Sequence, residues 1–220
     1  MPRKTTNTRG SGKKVIRVFC EGESEQAYTE FLKKRFSEVA VIKYPKATGL
    51  FNEAQNRFAN DPQYRDYINE IDEVWFFYDV ELKDIPLWEE RYRIIKELRK
   101  LRRKPGIKVR LLLTTGCLEY WLMLHYQFFI PPLGTVSDKE KVMAMLVGKE
   151  PTYQKGELKA TAKIAENYPT AVENAKKTLS RLLDEGMPGL EESDIRNQWL
   201  SQHCKTFSTV FEAVEFLLCL

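Results

Sequence analysis

Apolar residues follow two patterns over the first 132 positions, short continuous runs and stripes at helical spacing. The short runs are rich in β-branched and aromatic residues and predict strands at 15–19, 39–44, 74–78 and 107–113. The stripes predict helices from about Glu23, over 48–70 with a break at Asp61-Pro62, over 87–104 and over 118–128. Because strands and helices alternate, right-handed crossovers predict an α/β fold with a central parallel sheet of about four strands flanked by helices.

The pattern changes after Pro132, where no further strand is indicated and only helical spacing remains. The expected helices lie at 137–148, 157–167, 170–185 and 206–219. We therefore expect an α/β domain over 15–132 and an α-helical C-terminal extension over 133–220 that packs on it. Residues 1–14 are rich in Thr, Gly, Ser, Lys and Arg, which predicts a disordered basic arm.

The composition is that of a globular protein able to bury a full core, with 220 residues of which 43% are hydrophobic and 30% are charged. The four cysteines lie in or beside apolar runs and form no C-x-x-C pair, which predicts buried free thiols. No apolar run approaches the roughly 20 residues that a membrane helix needs. We expect a cytoplasmic protein without a membrane partner, and the oligomeric state stays open.

The net charge of +4 is too small to identify a nucleic-acid partner, so the distribution of basic residues matters more. One basic group lies in the arm of residues 1–14, and another lies at 99–104, at the end of a predicted helix. Two interpretations of the second group stay open. It either contacts the phosphates of a nucleic acid or complements the helix dipole.

Acidic residues follow two of the predicted strands. Glu21 comes after the first strand, and Asp79 and Glu81 come after the third. Because the carboxyl ends of parallel strands meet at one edge of a sheet, these carboxylates are expected to share a site if the two strands are adjacent. In extended geometry Asp79 and Glu81 point the same way and repel each other unless a cation lies between them. A Mg²⁺ site is the first hypothesis, and solvated loop acids or helix caps are the alternative.

Other polar residues stand near these turns. Glu119 begins an apolar helix after the fourth strand, where it either caps the helix or joins the site. Glu25 begins the first helix, where the dipole also favours an acid, and Ser24 is a plausible cap of that helix. His125 lies on roughly the opposite side of its helix from Glu119 and is expected to be buried and hydrogen-bonded. No P-loop, dinucleotide fingerprint, nucleophile elbow or zinc spacing is present, so carboxylates remain for chemistry.

Several motifs occur in a characteristic order. Residues 20–25 place Glu21 after the first strand, and residues 79–81 read Asp-Val-Glu after the third. Residues 119–125 read E-x-W-x-x-x-H, and residues 153–156 form a Tyr-Gln-Lys-Gly turn. The ordered set resembles the RloB-like proteins, members of the TOPRIM superfamily, and spans nearly the whole chain after the arm. The TOPRIM motif after the later strand is D-x-D, so Glu81 stands where its second Asp is found.

The resemblance implies a TOPRIM-like fold and a Mg²⁺-dependent nuclease that cuts DNA or RNA in prokaryotic genome defence, with Mn²⁺ as a substitute ion. It also implies an AAA-type ATPase as partner. Two alternatives remain, a non-catalytic module that binds nucleic acid or docks on the ATPase, and nucleotidyl transfer of the primase kind.

The resemblance also implies roles for individual residues. Glu21 is expected to be a metal ligand or general base, with Asp79, Glu81 and Glu25 as further metal ligands. Glu119 is expected to complete the metal shell or bind a second ion. Lys155 in the Tyr-Gln-Lys-Gly turn is expected to stabilise the charge that develops on the scissile phosphate.

Overall fold

The computed structural model describes residues 12–102 and 105–220, and the predicted basic arm lies outside these ranges up to residue 11. Its sheet contains the strands β1 Lys14–Cys20, β2 Ala40–Lys43, β3 Glu73–Val80 and β4 Lys108–Thr115. All neighbours pair in parallel, in the order β2-β1-β3-β4. The predicted α/β fold with a four-stranded parallel sheet flanked by helices is confirmed. The strands β3 and β4 each end two residues later than the apolar runs predict.

Helices connect the strands. Within the described ranges, every helix or strand element after β4 is a helix. The helices are α1 Glu23–Arg35, α2 Phe51–Asn60, α3 Pro62–Arg65, α4 Trp88–Lys100, α5 Leu118–Leu124, α6 Val136–Lys149, α7 Leu158–Ala165, α8 Tyr168–Arg181, α9 Asp194–His203 and α10 Phe211–Leu218. A 3₁₀ helix, Leu82–Leu87, precedes α4. No helix within the described residues is both long enough and apolar enough to cross a membrane.

Several helices are shorter than predicted, among them α3, which ends at Arg65, and α8, which ends at Arg181, and three further differences concern α5, α9 and α10. The helix α5 ends at Leu124, four residues early, and Asn174 of α8 satisfies the Leu124 carbonyl with a side-chain hydrogen bond of 2.8 Å. The helix α9 was not predicted, since Ile195 is exposed and its apolar residues form no clear stripe. The helix α10 begins at Phe211 because the preceding residues lie along β4, where Ser208 bridges Thr114.

The C-terminal segment is joined to the sheet by hydrogen bonds at the outer edge of β4. Thr209 Oγ1 accepts a 2.8 Å hydrogen bond from the Leu113 N–H, and the Thr115 N–H donates to the Phe207 carbonyl at 3.0 Å. Buried apolar residues from before and after Pro132 form one continuous core. The edge of β4 is therefore covered by the chain itself, which prevents pairing with another strand there.

The four cysteines are free thiols, as predicted, but they are not all buried. Cys20 and Cys117 are buried, Cys204 is half-buried and Cys219 is exposed. Cys204 ends α9 in the left-handed conformation, with a φ of 45°.

Candidate active site at the carboxyl ends of β1 and β3

The strands β1 and β3 are neighbours at the point where the chain changes its direction across the sheet. The chain passes from β1 outward to β2, and from β3 outward to β4 on the other side. In open α/β sheets such a switch point forms a crevice outside the carboxyl ends of the strands, where ligands bind. Here the crevice receives Glu21 from β1 and Asp79 from β3.

The two acidic turns meet through the backbone. The Asp79 N–H donates to Glu21 Oε2 at 3.1 Å, and the Glu21 N–H donates to the Phe77 carbonyl at 3.1 Å. The condition that the sequence left open, adjacency of the first and third strands, is therefore met. The Glu21 carboxylate is therefore held against the backbone of Asp79.

Glu25 lies directly behind this pair. Gly22, which is the N-cap residue of α1, is extended, and a Cβ atom there would lie 3.0 Å from Glu25 Oε2. The Glu25 side chain is folded against that turn and is only 4% exposed. The prediction that Ser24 caps α1 is wrong. Gly22 is the N-cap residue, and the Ser24 hydroxyl donates to Glu119 instead.

Glu119 enters the site from the first turn of α5 and is 2% exposed. Its Oε1 atom accepts hydrogen bonds from the Ser24 hydroxyl at 3.1 Å and from the Tyr153 hydroxyl at 2.9 Å. Its Oε2 atom lies 3.8 Å from Lys155 Nζ. Two separate chain segments, the start of α1 and the turn at 153–156, thus hold one buried carboxylate in a single orientation.

Lys155 lies at the mouth of the site, with its side chain 64% exposed and its ammonium group beside Glu119. The following residue, Gly156, has a φ of +77°, and a Cβ atom there would meet Glu23 Cβ at 2.9 Å. Only glycine fits this combination of conformation and contact. The turn is therefore held tightly against the start of α1, which fixes the backbone that carries Lys155.

The three carboxyl groups around the β1–β3 crevice have raised pKa values. Burial and then the neighbouring charges of Glu119 and Glu21 raise the pKa of Glu25 to about 7. Burial, Glu25 and Glu21 raise the pKa of Asp79 well above its usual range. Burial is also the largest cause that raises the pKa of Glu21. Carboxylates that destabilise one another in this way are strongly favoured to ionise when a cation binds between them.

Glu81 is turned toward two lysines instead. Its carboxylate pairs with Lys139 of α6 and, at 2.9 Å, with Lys83. Its N–H donates to Asp84 Oδ2 at 3.0 Å, which begins the 3₁₀ helix. Burial acts to raise the pKa of Glu81, but the hydrogen bonds from the two lysines outweigh it and the pKa lies below its ordinary value. The role of Glu81 as a metal ligand stays a prediction.

The donor set fits a magnesium ion in chemical type. Across residues 12–102 and 105–220, no three His, Cys, Asp or Glu side chains are arranged to hold a metal ion together. Mg²⁺ is commonly bound through one or two carboxylates, with water and substrate phosphate filling the remaining positions. Glu21 and Asp79 are the candidates for such a pair, because the Asp79 N–H donates to Glu21 Oε2 and the charge of Glu21 acts on the Asp79 carboxyl group.

Other candidate residues have structural roles. His125 is fully buried with Nδ1 3.0 Å from the Trp121 carbonyl, and burial lowers its pKa to about 4, which confirms the prediction of a core histidine. In the basic group at 99–104, Arg99 bonds Asp194 at 2.7 Å and Arg102 bonds the Pro105 carbonyl at 2.6 Å. Residues 103 and 104 of that group lie outside the described residues.

The sequence did not predict that four residues would contact the acids, namely Ser24, Lys83, Lys139 and Tyr153. The Tyr-Gln-Lys-Gly turn carried a signal for Tyr153, because it lies two residues before Lys155. No local pattern identifies Lys139, since it is one of several charged residues on α6.

Glu25→Gln is expected to stabilise the protein above pH 7 and to have little effect below pH 4.5. The folded-state pKa of Glu25 is about 7 against an ordinary value of 4.5, so the stability linked to its proton is full below pH 4.5 and is lost as the pH rises through 7. Glutamine keeps the uncharged shape at all pH values, which should increase the free energy of unfolding above pH 7 by on the order of 2 kcal/mol.

Urea denaturation of the two proteins at both ends of this range measures the effect. Glu38→Gln is the matched control, because Glu38 is exposed and should change the free energy of unfolding by less than about 0.5 kcal/mol. Equal stability of Glu25→Gln and the parent above pH 7 would contradict the assigned environment of Glu25.

Comparison with known proteins agrees with the motifs. A family model described as RloB-like protein matches residues 16–217, which is most of the chain. No curated protein and no solved structure gives a significant match. The chain therefore belongs to the RloB-like protein family.

Proposed function

We propose that this protein is a Mg²⁺-dependent nuclease that hydrolyses phosphodiester bonds in DNA or RNA. The observation that carries the proposal is the contact between Glu21 and Asp79 at the switch point of the sheet. Two further carboxylates, Glu25 and Glu119, are buried beside that pair. An exposed lysine, Lys155, stands at the mouth of the same site. Buried carboxylates can bind a metal ion, and the Lys155 ammonium group can bind an anion, so the site suits an anionic substrate that is bound through a metal.

Each residue of the site has a proposed role in binding the metal ion or the phosphate. Asp79 would hold the ion, and Glu21 would either share it or accept a proton from the attacking water. A bound Mg²⁺ would supply Lewis-acid stabilisation of the charge that develops on the phosphoryl oxygens. Glu119, oriented by Ser24 and Tyr153, keeps the Lys155 ammonium group at the entrance. Lys155 would then stabilise the same developing charge from the solvent side.

The biological role proposed is that of an effector in prokaryotic genome defence, working in the cytoplasm with an AAA-type ATPase. This part of the proposal rests on family membership alone. Co-purification of the protein with an ATPase encoded beside it would test the partnership.

The activity is tested with the purified full chain and labelled single-stranded DNA, duplex DNA, tRNA and rRNA. We expect cleavage of at least one substrate with Mg²⁺, retention of activity with Mn²⁺, and complete loss with EDTA. Each reaction is repeated with the partner ATPase and ATP, so that a need for activation is covered. Intact substrates in every reaction would contradict the proposed nuclease activity.

A non-catalytic nucleic-acid-binding module is the second candidate. The pairing of Glu81 with Lys83 and Lys139 favours it, because this carboxylate is occupied by protein cations. Such a module would bind the labelled nucleic acids and Mg²⁺ without shortening any substrate. Binding and product length measured on the same samples separate the two functions.

A further inference from the structure

Two cavities adjoin along the segment that follows α5. The inner cavity has a volume of about 120 Å³ and is lined by Val80, Glu81, Lys83 and Lys139. The outer cavity has a volume of about 390 Å³, and its lining includes Ile130, Arg181, Glu185 and Lys205. The two cavities share the wall formed by Leu133, Gly134 and Cys204. We call these two adjoining cavities together the basic groove.

The inner end of the basic groove adjoins the proposed metal site. Val80 and Glu81, which line it, directly follow Asp79 in the chain. The Lys139 side chain crosses the turn after β4, since its Cε atom would lie 3.6 Å from a Cβ atom at Gly116. Lys139 thus lies between the two features, lining the inner cavity while its charge acts on the Asp79 carboxyl group.

Four basic residues line the groove, Lys83, Lys139, Arg181 and Lys205, against two acids. The two acids form ion pairs with three of these basic residues. Glu81 pairs with Lys83 and Lys139, and Glu185 pairs with Lys205 at 2.6 Å. Arg181 makes no ion pair within the described part of the chain, and it is exposed. The pairs involving Lys83 and Lys205 are solvated and hence weak, so a stronger polyanion can exchange for the carboxylates there.

We propose that the basic groove binds the phosphodiester backbone of the nucleic-acid strand on one side of the cleaved bond. This inference rests on the proposed function and adds the path of the substrate to it. Backbone phosphates replace Glu81 on Lys83 and Lys139, and Glu185 on Lys205, while Arg181 takes a further phosphate. The two glutamates are resident anions that keep the groove closed to weak anionic ligands.

Binding of fluorescein-labelled DNA and RNA oligonucleotides in EDTA tests the groove without any cleavage. Lys139→Gln and Arg181→Gln are each expected to weaken binding about 3- to 10-fold. Each should also reduce the salt slope of the binding constant by about 0.7 for single strands. Glu81→Gln is expected to tighten binding, because it removes the competing anion. A purely structural role of the Lys139–Glu81 pair predicts no such gain.

Lys141→Gln is the matched control, because Lys141 lies on the same helix and pairs with Asp138 outside the groove. It should bind nearly as the parent does, with circular dichroism showing that all variants are folded. Equal affinities of Lys139→Gln, Arg181→Gln and Lys141→Gln overturn the groove, as does a parent protein that binds no oligonucleotide.

The failure of this inference is distinguishable from failure of the proposed function. Binding in EDTA depends on the groove and not on metal, whereas cleavage with Mg²⁺ depends on Glu21 and Asp79. Specific binding without cleavage leaves the groove standing and contradicts the nuclease. Cleavage that is unaffected by the groove variants, with unchanged binding, leaves the nuclease standing and contradicts the groove.

Discussion

Asp79→Asn should lower Mg²⁺-dependent cleavage about 10³-fold while leaving the protein at least as stable as the parent. The loss corresponds to about 4 kcal/mol of transition-state stabilisation, since one of the two metal-holding carboxylates becomes a neutral amide. Stability should hold or rise because the Asp79 carboxylate is destabilised by burial and by Glu25 and Glu21. An isosteric neutral group removes that repulsion.

The opposite signs of the two effects make the test sharp. Cleavage rates are measured under single-turnover conditions, and Tm is measured by differential scanning fluorimetry without metal. Asp66→Asn is the matched control, because Asp66 is exposed and its carboxylate pairs with the neighbouring Arg65 rather than with any residue of the crevice. A lower Tm with a normal cleavage rate would mean that Asp79 is a structural residue, and the proposed metal site would be wrong.

Most of the fold was accessible from hydrophobic patterning, because central parallel strands are continuous apolar runs. The run at 74–78 identified β3, but pattern alone ended the strand at Tyr78 since Asp79 is polar. Asp79 in fact still pairs with Thr114 of β4. Pairing between backbones continues past the last apolar residue, so a strand that ends in a polar candidate site residue is predicted too short.

The sequence predicted that Glu21 and Asp79 lie together only if the first and third strands are neighbours. Both residues follow strands, but the sequence does not say that β1 and β3 are neighbours. That adjacency follows from β2 lying on the outside of β1, which is decided by packing of the helices across the whole sheet. Once the order is known, the rule for switch points places the two carboxylates together.

Glu81 shows where local geometry misleads. A spacing of two residues predicts that Asp79 and Glu81 point the same way, provided that the chain stays extended. The chain leaves the sheet after Val80, and the Glu81 N–H bonds Asp84 to begin a 3₁₀ helix. The side chain then meets Lys139, which comes from α6 and is 58 residues away in sequence. Contacts over such separations are set by tertiary packing.

The helix α9 contacts the strand β3 through Tyr78, and one buried ion pair holds that helix. Arg196 is 0% exposed and donates from Nη1 to the Leu190 carbonyl at 2.6 Å and to Glu212 Oε1 at 2.5 Å. From the same helix, Ser201 Oγ lies 3.4 Å from the hydroxyl of Tyr78. Arg196 therefore stabilises the position of α9, which packs against the strand that carries Asp79.

Arg196→Met is expected to lower the free energy of unfolding by about 3–5 kcal/mol. Methionine fills much of the volume but leaves Glu212 buried without its cation, and an unpaired buried charge is the costly outcome. Burial already raises the pKa of Glu212 despite the presence of Arg196. Urea denaturation followed by tryptophan fluorescence measures the loss.

Arg99→Met on α4 is the matched control, because Arg99 makes a similar pair with Asp194 of α9 in which both side chains are about one-third exposed. A solvated pair of this kind should contribute about 1 kcal/mol or less. The double variant Arg196→Met/Glu212→Leu should recover much of the stability lost by Arg196→Met, since it removes the stranded carboxylate as well. Similar losses for Arg196→Met and Arg99→Met, with no recovery in the double variant, would show that α9 is held by its apolar contacts rather than by this ion pair.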